Sequence, residues 1–444
     1  MKTFPLSLLA AATLAACGSN ATPPPTTGAV TFWQDVAPIY NDKCVKCHQA
    51  GGIGPFALDD YASALSEANE EARLTGLGTM PPYHVVHDGT CGSFHDENTL
   101  TDAQKATIRQ WADAGAPEGT KVTLTRPAVT KLDGALDLKT PSFMPVAQGG
   151  AIAQDDEYRC FLMDAPNTKD AFLTAYDVTP GDATIIHHVL TFVVDPQAMG
   201  DNGKTNAEIM QMLDDASPDR LGWPCFGAAG DNVNVDAVPV TWAPGQGVVS
   251  YPAGMGVLVK ATSKLVVQVH YNLADPTSRG KTDSTTVHLR FADKVDRPLK
   301  FLLPDPFLDS LKNPMAPDML PPGMKDATYK WTLRGKDLGI SAGSVDLVAV
   351  MPHMHGRGVR QFLKIGPAGD LACASHLESW DFHWQEFYFY KTFPTITPDT
   401  NVEVTCEYDT SMDTVPVLPG WGTRNEMCLT VLMVALPAAS TSGP

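Results

Sequence analysis

The sequence has little positive charge and no apolar run long enough to cross a membrane. Its 32 lysines and arginines are outnumbered by 50 aspartates and glutamates, which gives a net charge of −18. A nucleic-acid partner requires a basic surface, so this charge balance argues against one. With 43% apolar and only 18% charged residues, the chain has a globular composition, and its 444 residues predict about three domains.

The N-terminus has the pattern of an export signal. Lys2 precedes an apolar stretch from Phe4 to Ala16, which is too short to span a bilayer. The stretch ends in "LAAC", which resembles a bacterial lipobox and predicts lipidation of Cys17. We therefore expect a lipoprotein signal peptide over residues 1–17 and a Pro-rich tether over 18–30. An ordinary signal peptide with an incidental cysteine is the alternative.

This N-terminus also predicts where the protein resides. We expect an exported bacterial lipoprotein on the periplasmic side or the cell surface, held to the outer membrane by its lipid alone. Disulfides persist outside the cytoplasm. Setting aside Cys17 and a paired motif described next, six of the nine cysteines remain: Cys91, Cys160, Cys225, Cys373, Cys406 and Cys428. They permit up to three disulfides, with fifteen possible pairings.

A haem-attachment signature lies near the start of the mature chain. Cys44-Val-Lys-Cys47-His48 is a C-x-x-C-H sequence, in which two thiols bind the haem vinyl groups and the histidine ligates iron. A redox or zinc Cys-x-x-Cys is the alternative, which the histidine and the exported context disfavour. The sequence thus predicts one covalently attached haem c.

Helical patterns surround this signature. Apolar residues have helical spacing before it, and Thr101 and Gln104 form a predicted capping box at the start of a later helix. The arrangement resembles a class I cytochrome c, which implies a small all-α domain over residues 31–120. Met80 is the expected second axial ligand of the iron, with core packing as the alternative. His84, His87 and His95 are expected to be exposed loop residues.

The remainder of the chain has the texture of β-structure. Residues 121–152 are rich in Pro, Gly and Thr and are predicted to be a connector. From Glu157 onward, short β-branched runs alternate with Pro, Gly and Asp turns. We predict two tandem antiparallel β-sandwich domains, 153–296 and 297–437, because this length exceeds one small sandwich. The expected fold class is therefore multidomain, with the all-α domain first.

Three histidines lie on predicted strands of the first sandwich. His187 and His188 are consecutive in "IIHHVLTFVV", and His270 ends "VVQVH". Consecutive strand residues point to opposite faces, so both can bind one ion only if the strand twists or bulges. One core and one surface histidine is the alternative. A third histidine in an apolar strand favours a shared metal, because burying an unpartnered imidazole is costly.

A second set of candidate ligands follows the strand "VDLVAVMPHMH". His353 and His355 are two residues apart and project to the same side of a strand, so they can hold one ion. Met427 in "EMCLTVLMV" is the candidate third ligand, since a thioether selects copper. Core packing is the ordinary role of such a methionine.

These motifs, in this order, resemble the copper type II ascorbate-dependent monooxygenases, which include the peptidylglycine α-hydroxylating and dopamine β-monooxygenases. The resemblance covers residues 155–437. It implies an electron-transfer copper on His187, His188 and His270, and an oxygen-activating copper on His353, His355 and Met427. Gln268 and Gly358 also match the family pattern, and the resemblance implies a disulfide between Cys406 and Cys428.

The chain departs from the peptide-amidating members at two positions. Met351 stands where they carry a carboxylate-binding arginine, and Val431 stands where they carry a tyrosine. This argues against a peptidylglycine substrate and favours a small or apolar molecule. Three cysteines do not match the other family disulfides: Cys160, Cys225 and Cys373. Three histidines match no motif, and we expect them to be structural: His288, His376 and His383.

The sequence as a whole predicts a copper-dependent monooxygenase that hydroxylates a C–H bond with O2. Two copper ions and the haem are the expected cofactors, with the haem passing electrons to the three-histidine copper. An external reductant or cytochrome would supply electrons to the haem. The alternatives are a non-enzymatic, lipid-anchored electron-transfer or copper-binding protein, and a haem-based sensor.

Overall fold

The computed structural model describes residues 28–437 except 51–53, 96, 126–131, 149–154, 201, 226–227, 245, 314, 316, 383 and 421–424. Cys17 and His383 lie outside the described residues. Within the described part, no helix has both the length and the apolar character needed to cross a bilayer. The helices are Ala37–Lys43 (α1, preceded by a π-helical turn Phe32–Val36), Tyr61–Leu77 (α2), Asp102–Asp113 (α3), Asn206–Asp215 (α4) and Pro306–Asp309 (α5).

Strands make up most of the regular structure. The first ten are Leu136–Lys139 (β1), Asp156–Asp164 (β2), Ala171–Thr179 (β3), Ile186–Val194 (β4), Trp223–Pro224 (β5), Ala237–Trp242 (β6), Val249–Ser250 (β7), Met255–Val259 (β8), Lys264–Asn272 (β9) and Thr286–Ala292 (β10). The others are Arg297–Leu302 (β11), Ala327–Arg334 (β12), Val345–His353 (β13), Gly358–Gly366 (β14), Ala372–Leu377 (β15), Tyr388–Phe389 (β16), Thr395–Ile396 (β17), Asn401–Tyr408 (β18) and Leu429–Ala435 (β19). Short 3₁₀ turns are Pro276–Ser278, Ser310–Lys312 and Gly335–Leu338.

The described strands form three sheets. The largest has ten strands in the order β1-β10-β3-β8-β11-β19-β13-β16, with β7 beside β3 and β17 beside β13. A five-stranded sheet has the order β5-β2-β9-β4-β6, and a four-stranded sheet has the order β12-β18-β14-β15. Neighbouring strands are antiparallel except β8 and β11, which are parallel.

The apolar cores lie between these sheets. Val189 and Val267 of the five-stranded sheet pack in one cluster with Leu173 of the ten-stranded sheet. Val404 of the four-stranded sheet packs in a second cluster with Leu432 of the ten-stranded sheet. The ten-stranded sheet therefore backs both smaller sheets, which explains why β13 and β19 are apolar on both faces.

The predicted fold class is wrong in its β part. Two tandem sandwiches were expected, each with its own sheets. Instead, β8 from the first half pairs with β11, and β11 pairs with β19 from the second half, within one sheet. Tandem sandwiches cannot be told from a shared sheet by strand periodicity, because the pattern shows which faces are buried and not which strands are neighbours.

The predicted all-α cytochrome c domain is also corrected, because the described chain is mostly β-sheet with few helices. α1 to α3 share a small apolar cluster, and Thr101 and Gln104 form the expected capping box. The chain between α2 and α3, however, packs into the C-terminal β-structure. Val85 bridges to Leu377, and Phe94 bridges to Tyr390. Apolar side chains of this connection join the core of the four-stranded sheet, so the N-terminal part is not a closed helical unit.

Candidate metal centres

Three histidine rings converge on strands β4 and β9. The Nδ1 atom of His187 lies 3.2 Å from Nδ1 of His188 and 3.0 Å from Nδ1 of His270. The third distance, from His270 Nδ1 to His188 Nδ1, is 3.3 Å. His270 is buried, and the other two histidines are half-buried. Each ring thus directs the same nitrogen toward a common point.

A β-bulge brings the two consecutive histidines together. In the pairing of β4 with β9, Ile186 lies opposite Tyr271 and His188 lies opposite His270, so His187 is the extra residue. A bulge bends the strand and re-aims the side chain that it adds. His187 and His188 can therefore face one ion, although residues on a regular strand would alternate between faces.

The triangle of nitrogens has the size of a metal site. An atom equidistant from the three would lie about 1.8 Å from each, close to the bond length of about 2.0 Å between a metal and imidazole nitrogen. Imidazole ligands suit copper among several transition metals. Tyr158 stacks on the His270 ring at a centroid distance of 3.8 Å, and Asp156 Oδ1 lies 3.5 Å from His270 Nε2. β2 thus fixes the orientation of His270.

His353 and His355 lie at the end of β13 with their ring centroids 5.3 Å apart. His353 Nδ1 lies 2.8 Å from Gln385 Oε1, and His355 Nδ1 lies 3.1 Å from the carbonyl oxygen of Asn425. Both partners are acceptors, so both Nδ1 atoms carry the proton. Nε2 of each ring therefore has the lone pair. Burial lowers the pKa of His353, which favours the neutral ring that a metal needs.

Met427 is at the same end of the sheet as these histidines. His353 is in register with Leu429 on β19, two residues beyond Met427. The Met427 side chain is buried, and its carbonyl accepts the Tyr408 hydroxyl at 2.7 Å. The preceding residue, Glu426, accepts the backbone N–H of His355 at 2.8 Å. The backbone thus brings the Met427 segment against the His-x-His segment.

Several residues that support this second centre escaped the sequence interpretation. Glu426 also accepts the N–H of Arg357 at 2.8 Å, and burial raises the pKa of Glu426 to about 7. Trp380 donates its indole N–H to the carbonyl of His355 at 2.9 Å. The only sequence signals were the aromatic run that follows Trp380 and the position of Glu426 beside Met427.

Gly358, which matches the family pattern, has a steric explanation. A Cβ atom there would lie 2.6 Å from Cδ1 of Trp380 and 2.8 Å from Cβ of Met354. Only glycine lets the start of β14 approach Trp380 so closely. The other matching residue, Gln268, is buried on β9 and donates to the carbonyl of Ala228 at 2.8 Å.

The residues of the haem signature form a compact turn after α1. Cys44 and Cys47 are free thiols, and the N–H of His48 bonds to the carbonyl of Cys44 at 2.9 Å. His48 Nδ1 lies 3.1 Å from the carbonyl of Phe56, which leaves Nε2 as the available ligand atom. Burial lowers the pKa of His48. Two unpaired thiols beside an imidazole of fixed tautomer fit covalent haem attachment.

The candidates for the second axial ligand are spread along the chain after α2. Met80 is half-buried just past the end of α2, and its N–H bonds to the carbonyl of Leu74 at 3.4 Å. His87 and His95 are exposed. His84, expected to be exposed, is buried, because its segment packs against the end of β15, where its carbonyl accepts the N–H of Glu378.

The haem signature lies against the sheet that carries the three-histidine cluster. Cys47 Sγ is 3.4 Å from the carbonyl oxygen of Pro244. Pro244 follows β6 by two residues, and Trp242 at the end of β6 is in register with Val189, the neighbour of His188. A short stretch of strand therefore separates the two candidate centres.

The six remaining cysteines form three disulfides. Their pairs are Cys91–Cys373, Cys160–Cys225 and Cys406–Cys428. The last of these joins β18 to the start of β19, directly after Met427. Two of the histidines without a motif are half-buried and pair with carboxylates: His288 bonds to Asp137 at 2.7 Å, and His376 pairs with Glu378 at 2.7 Å.

Comparison with known proteins matches one family model and several related proteins. Residues 315–441 match the family model of the copper type II ascorbate-dependent monooxygenase C-terminal domain. DBH-like monooxygenase protein 1 of Mus musculus is 31% identical over 123 residues, which cover 26% of this chain and 20% of that protein. The Homo sapiens protein of that name is 26% identical over 211 residues, which cover 45% of this chain and 33% of its own length.

The chain thus spans between a fifth and a third of these relatives. Among solved structures, the major capsid protein P2 from bacteriophage PM2 aligns over 70% of this chain and 100% of its own. Its identity of 9% and TM-score of 0.25 are too low to carry an argument. The C-terminal part of this chain is therefore similar to the copper type II ascorbate-dependent monooxygenase C-terminal domain.

Proposed function

We propose that this protein is a monooxygenase that hydroxylates a C–H bond of a small molecule. The balanced reaction combines the substrate, O2, two electrons and two protons to give the hydroxylated product and water. His353, His355 and Met427 would hold the copper at which O2 reacts, and His187, His188 and His270 would hold a copper that transfers electrons. Copper supplies one-electron chemistry, and a thioether ligand favours its cuprous state.

The observation that carries this proposal is the convergence of three Nδ1 atoms within 3.0 to 3.3 Å of one another. Imidazole nitrogens this close, with a stacked tyrosine behind one of the rings, constitute a preorganised site for an ion. At the second centre, Gln385 and Asn425 hold both Nδ1 protons, so His353 and His355 present Nε2. The two centres would therefore bind through different ring nitrogens.

The surroundings of the second centre favour an apolar substrate. Met351 and Val431, which replace the polar pair of the peptide-amidating enzymes, are cross-strand partners on β13 and β19. Both side chains are buried. Two facing apolar residues cannot pair with a carboxylate, and a charged substrate group there would lose its hydration without compensation. A small or apolar molecule is therefore the proposed substrate class.

We also propose that Cys44 and Cys47 bind haem covalently and that His48 ligates its iron. Met80 is the proposed second axial ligand. The contact between Cys47 and Pro244 supports electron delivery along β6 to the three-histidine centre. An electron donor on the same polypeptide has a higher effective concentration than a free partner. An external reductant or cytochrome would supply electrons to the haem.

The location of the protein is a further part of the proposal. Three disulfides are compatible with an oxidising compartment, and the N-terminal sequence pattern motivates lipidation at Cys17. We propose a lipid-anchored, exported bacterial protein on the periplasmic side or cell surface, attached to the outer membrane. Mass spectrometry of the N-terminal peptide tests this, and an unmodified Cys17 in the membrane-extracted protein would contradict it.

Oxygen consumption by the intact, copper-loaded protein tests the proposed reaction. A screen of small apolar molecules should give one hydroxylated product per O2 consumed, and His353→Ala should abolish product while the haem spectrum persists. His376→Ala, which changes a half-buried histidine of β15 that pairs with Glu378, is the matched control and should retain activity. Substrate-independent electron transfer with no product from the wild type would instead indicate a non-enzymatic electron carrier.

Stopped-flow spectroscopy tests the relay separately. Reduced haem should reoxidise when the three-histidine centre is cupric, and His187→Ala should slow this step at least tenfold. His288→Ala, which leaves the cluster intact, should not change it. A haem that stays reduced for many turnover times would contradict the relay while leaving the oxygenase proposal standing.

A further inference from the structure

An unusual group of exposed methionines lies on two paired loops of the C-terminal part. Three of the chain's 16 methionines fall between residues 315 and 324. Met315 is 94% exposed, Met319 is 52% exposed and Met324 is 39% exposed. Met412, on the partner loop, is 93% exposed. Methionine is usually a core residue, so four solvent-exposed thioethers on two paired loops need an explanation.

Backbone hydrogen bonds hold the two loops side by side. Leu320 and Val417 exchange N–H to carbonyl bonds of 2.9 and 3.0 Å. Gly323 donates to the carbonyl of Thr410 at 2.8 Å, and Thr410 donates to the carbonyl of Met324 at 2.7 Å. Met319 and Met324 thus border the paired stretch, and Met412 lies on the opposite loop between its two attachment points.

The same loop is tied to the second metal centre. Arg357 binds both carboxylate oxygens of Asp413, each at 2.6 Å. Asp413 is adjacent to Met412, and Arg357 is two residues beyond His355. The backbone N–H of Arg357 in turn bonds to Glu426, the residue before Met427. The exposed methionines are therefore connected through one ion pair to the segment that holds the candidate copper ligands.

The ligand chemistry of this surface is specific. Thioethers are soft, neutral ligands that select Cu(I) over the hard cations and over most divalent metals. The aspartates beside the methionines, Asp409 and Asp318, add negative potential that attracts a cation. Nearby Asp409 keeps a lowered pKa because Ser411 donates to it, so it is charged at neutral pH. Flexible methionine side chains can adapt to one ion.

We propose that Met315, Met319, Met324 and Met412 form a Cu(I)-binding surface, the thioether surface, which collects cuprous ion for the neighbouring His353, His355 and Met427 centre. Exposed thioethers bind Cu(I) weakly and exchange it quickly, which suits acquisition and transfer. The buried centre, with two imidazoles and one thioether, is the tighter destination. No electron or proton changes hands in this transfer, because copper remains cuprous throughout.

Titration of the intact protein with Ag(I), a redox-silent substitute for Cu(I), tests the thioether surface. In copper-loaded wild type carrying ¹³C-methyl methionine, one equivalent should shift the methyl signals of the four surface methionines. Replacing all four with leucine, which keeps an apolar side chain without sulfur, should remove that equivalent. A control variant replaces three exposed methionines elsewhere and should still bind this equivalent of Ag(I); its substitutions are Met144→Leu, Met199→Leu and Met212→Leu.

The rate of copper loading gives the second readout. The fourfold leucine variant should fill its second centre with buffered Cu(I) about tenfold more slowly than wild type, yet reach the same final occupancy. The proposal is overturned if Ag(I) shifts the methyl signals of all exposed methionines alike, with no preference for the four of the thioether surface. It is also overturned if the fourfold leucine variant loads copper as fast as the control triple variant. An apolar docking patch without metal affinity would give this last result. The Ag(I) outcome is independent of whether the protein hydroxylates any substrate.

Discussion

Glu426 joins the two strands that meet at the second candidate metal centre, because its Oε2 accepts the backbone N–H of His355 at 2.8 Å. Its other carboxylate oxygen accepts the N–H of Arg357, also at 2.8 Å. A single buried side chain thus satisfies two backbone donors in the turn after β13. Since Glu426 directly precedes Met427, it holds the His-x-His turn at a fixed place relative to the methionine.

Replacing Glu426 with alanine should weaken copper binding at the second centre. The two backbone N–H groups would lose their acceptors, and residues that orient metal ligands commonly contribute 10- to 100-fold in affinity, so we expect a loss of about that size. Competition with a Cu(I) chelator measures it, with the three-histidine ion as the internal reference. Glu407→Gln, which alters a surface pair with Arg360, is the control. Equal retention of both ions would show that Glu426 is not a positioning residue.

Removing any member of the three-histidine cluster should remove one copper ion. Two imidazoles without the third leave an incomplete site, so His270→Ala is expected to reduce bound copper from two ions to one after dialysis. Metal analysis and electron paramagnetic resonance of the oxidised protein measure this change. His288→Ala should keep both ions. Full copper content in His270→Ala would mean that the nitrogens converge for another reason.

Sequence reasoning found the residues of the three-histidine cluster but not the device that assembles them. The apolar strands around His187 and His270 were visible as β-branched runs. The bulge at His187 was not, because it depends on which residues of β9 lie opposite β4, and register is a long-range property. The adjacency of two histidines was therefore ambiguous until the pairing was known.

The same limit explains the errors in the fold. Capping residues such as Thr101 are local signals, and the helix that they predict is present. Tyr83, Val85 and Phe94 lie in a stretch without a clear period, so nothing local shows that they pack into the distant C-terminal core. The parallel pairing of β8 with β11, which merges the sheets, likewise leaves no trace in either strand alone.

Gln385 should influence the second centre through His353. Its Oε1 accepts the Nδ1 proton at 2.8 Å, and its amide nitrogen is held by the carbonyl of Phe382 at 2.8 Å. Gln385→Leu leaves the Nδ1 proton unpaired in a buried site and frees the ring to rotate, so copper affinity should fall about tenfold or more. Gln385→Glu retains an acceptor and should recover most of it. X-ray absorption spectroscopy of the cuprous protein would report the changed coordination, and identical spectra for Gln385→Leu and wild type would contradict the role.

The disulfide between Cys91 and Cys373 should stabilise the connection between α2 and α3. It joins residues 282 positions apart, and disulfides closing long loops typically contribute about 2–5 kcal/mol. Serine at both positions should therefore lower hydrogen-exchange protection of residues 83–95, which pack beside β15 and β16. Serine at Cys160 and Cys225 should not affect that segment. Unchanged protection in the Cys91/Cys373 variant would show that packing alone holds the connection.

The buried carboxyl of Glu71 makes the stability of α2 depend on pH. Its side chain lies inside the helical cluster near Tyr40 and Cys44, and burial raises its pKa from 4.5 to about 7. Like charges on Glu67 and Glu70 raise the pKa further in the same direction. The unfolded chain releases this proton near pH 4.5, whereas the folded chain keeps it until about pH 7.

The sign of the pH effect follows from this difference. Between pH 4.5 and about 7 the folded state binds more protons than the unfolded state, so the free energy of unfolding falls as the pH rises. At 1.36 kcal/mol per pH unit, the total loss is up to about 3 kcal/mol, and it levels off above pH 7. Hydrogen exchange of the α2 amides, corrected for the intrinsic pH dependence of exchange, measures this slope.

Two variants separate Glu71 from its neighbours. Glu71→Gln has no charge to bury and should make α2 equally protected across this pH range. Glu67→Gln removes one like charge but leaves the buried carboxyl, so the slope should persist and end at a slightly lower pH. If Glu71→Gln keeps the full slope, another group causes it, and the carboxyl of Glu71 must then be solvated when it ionises.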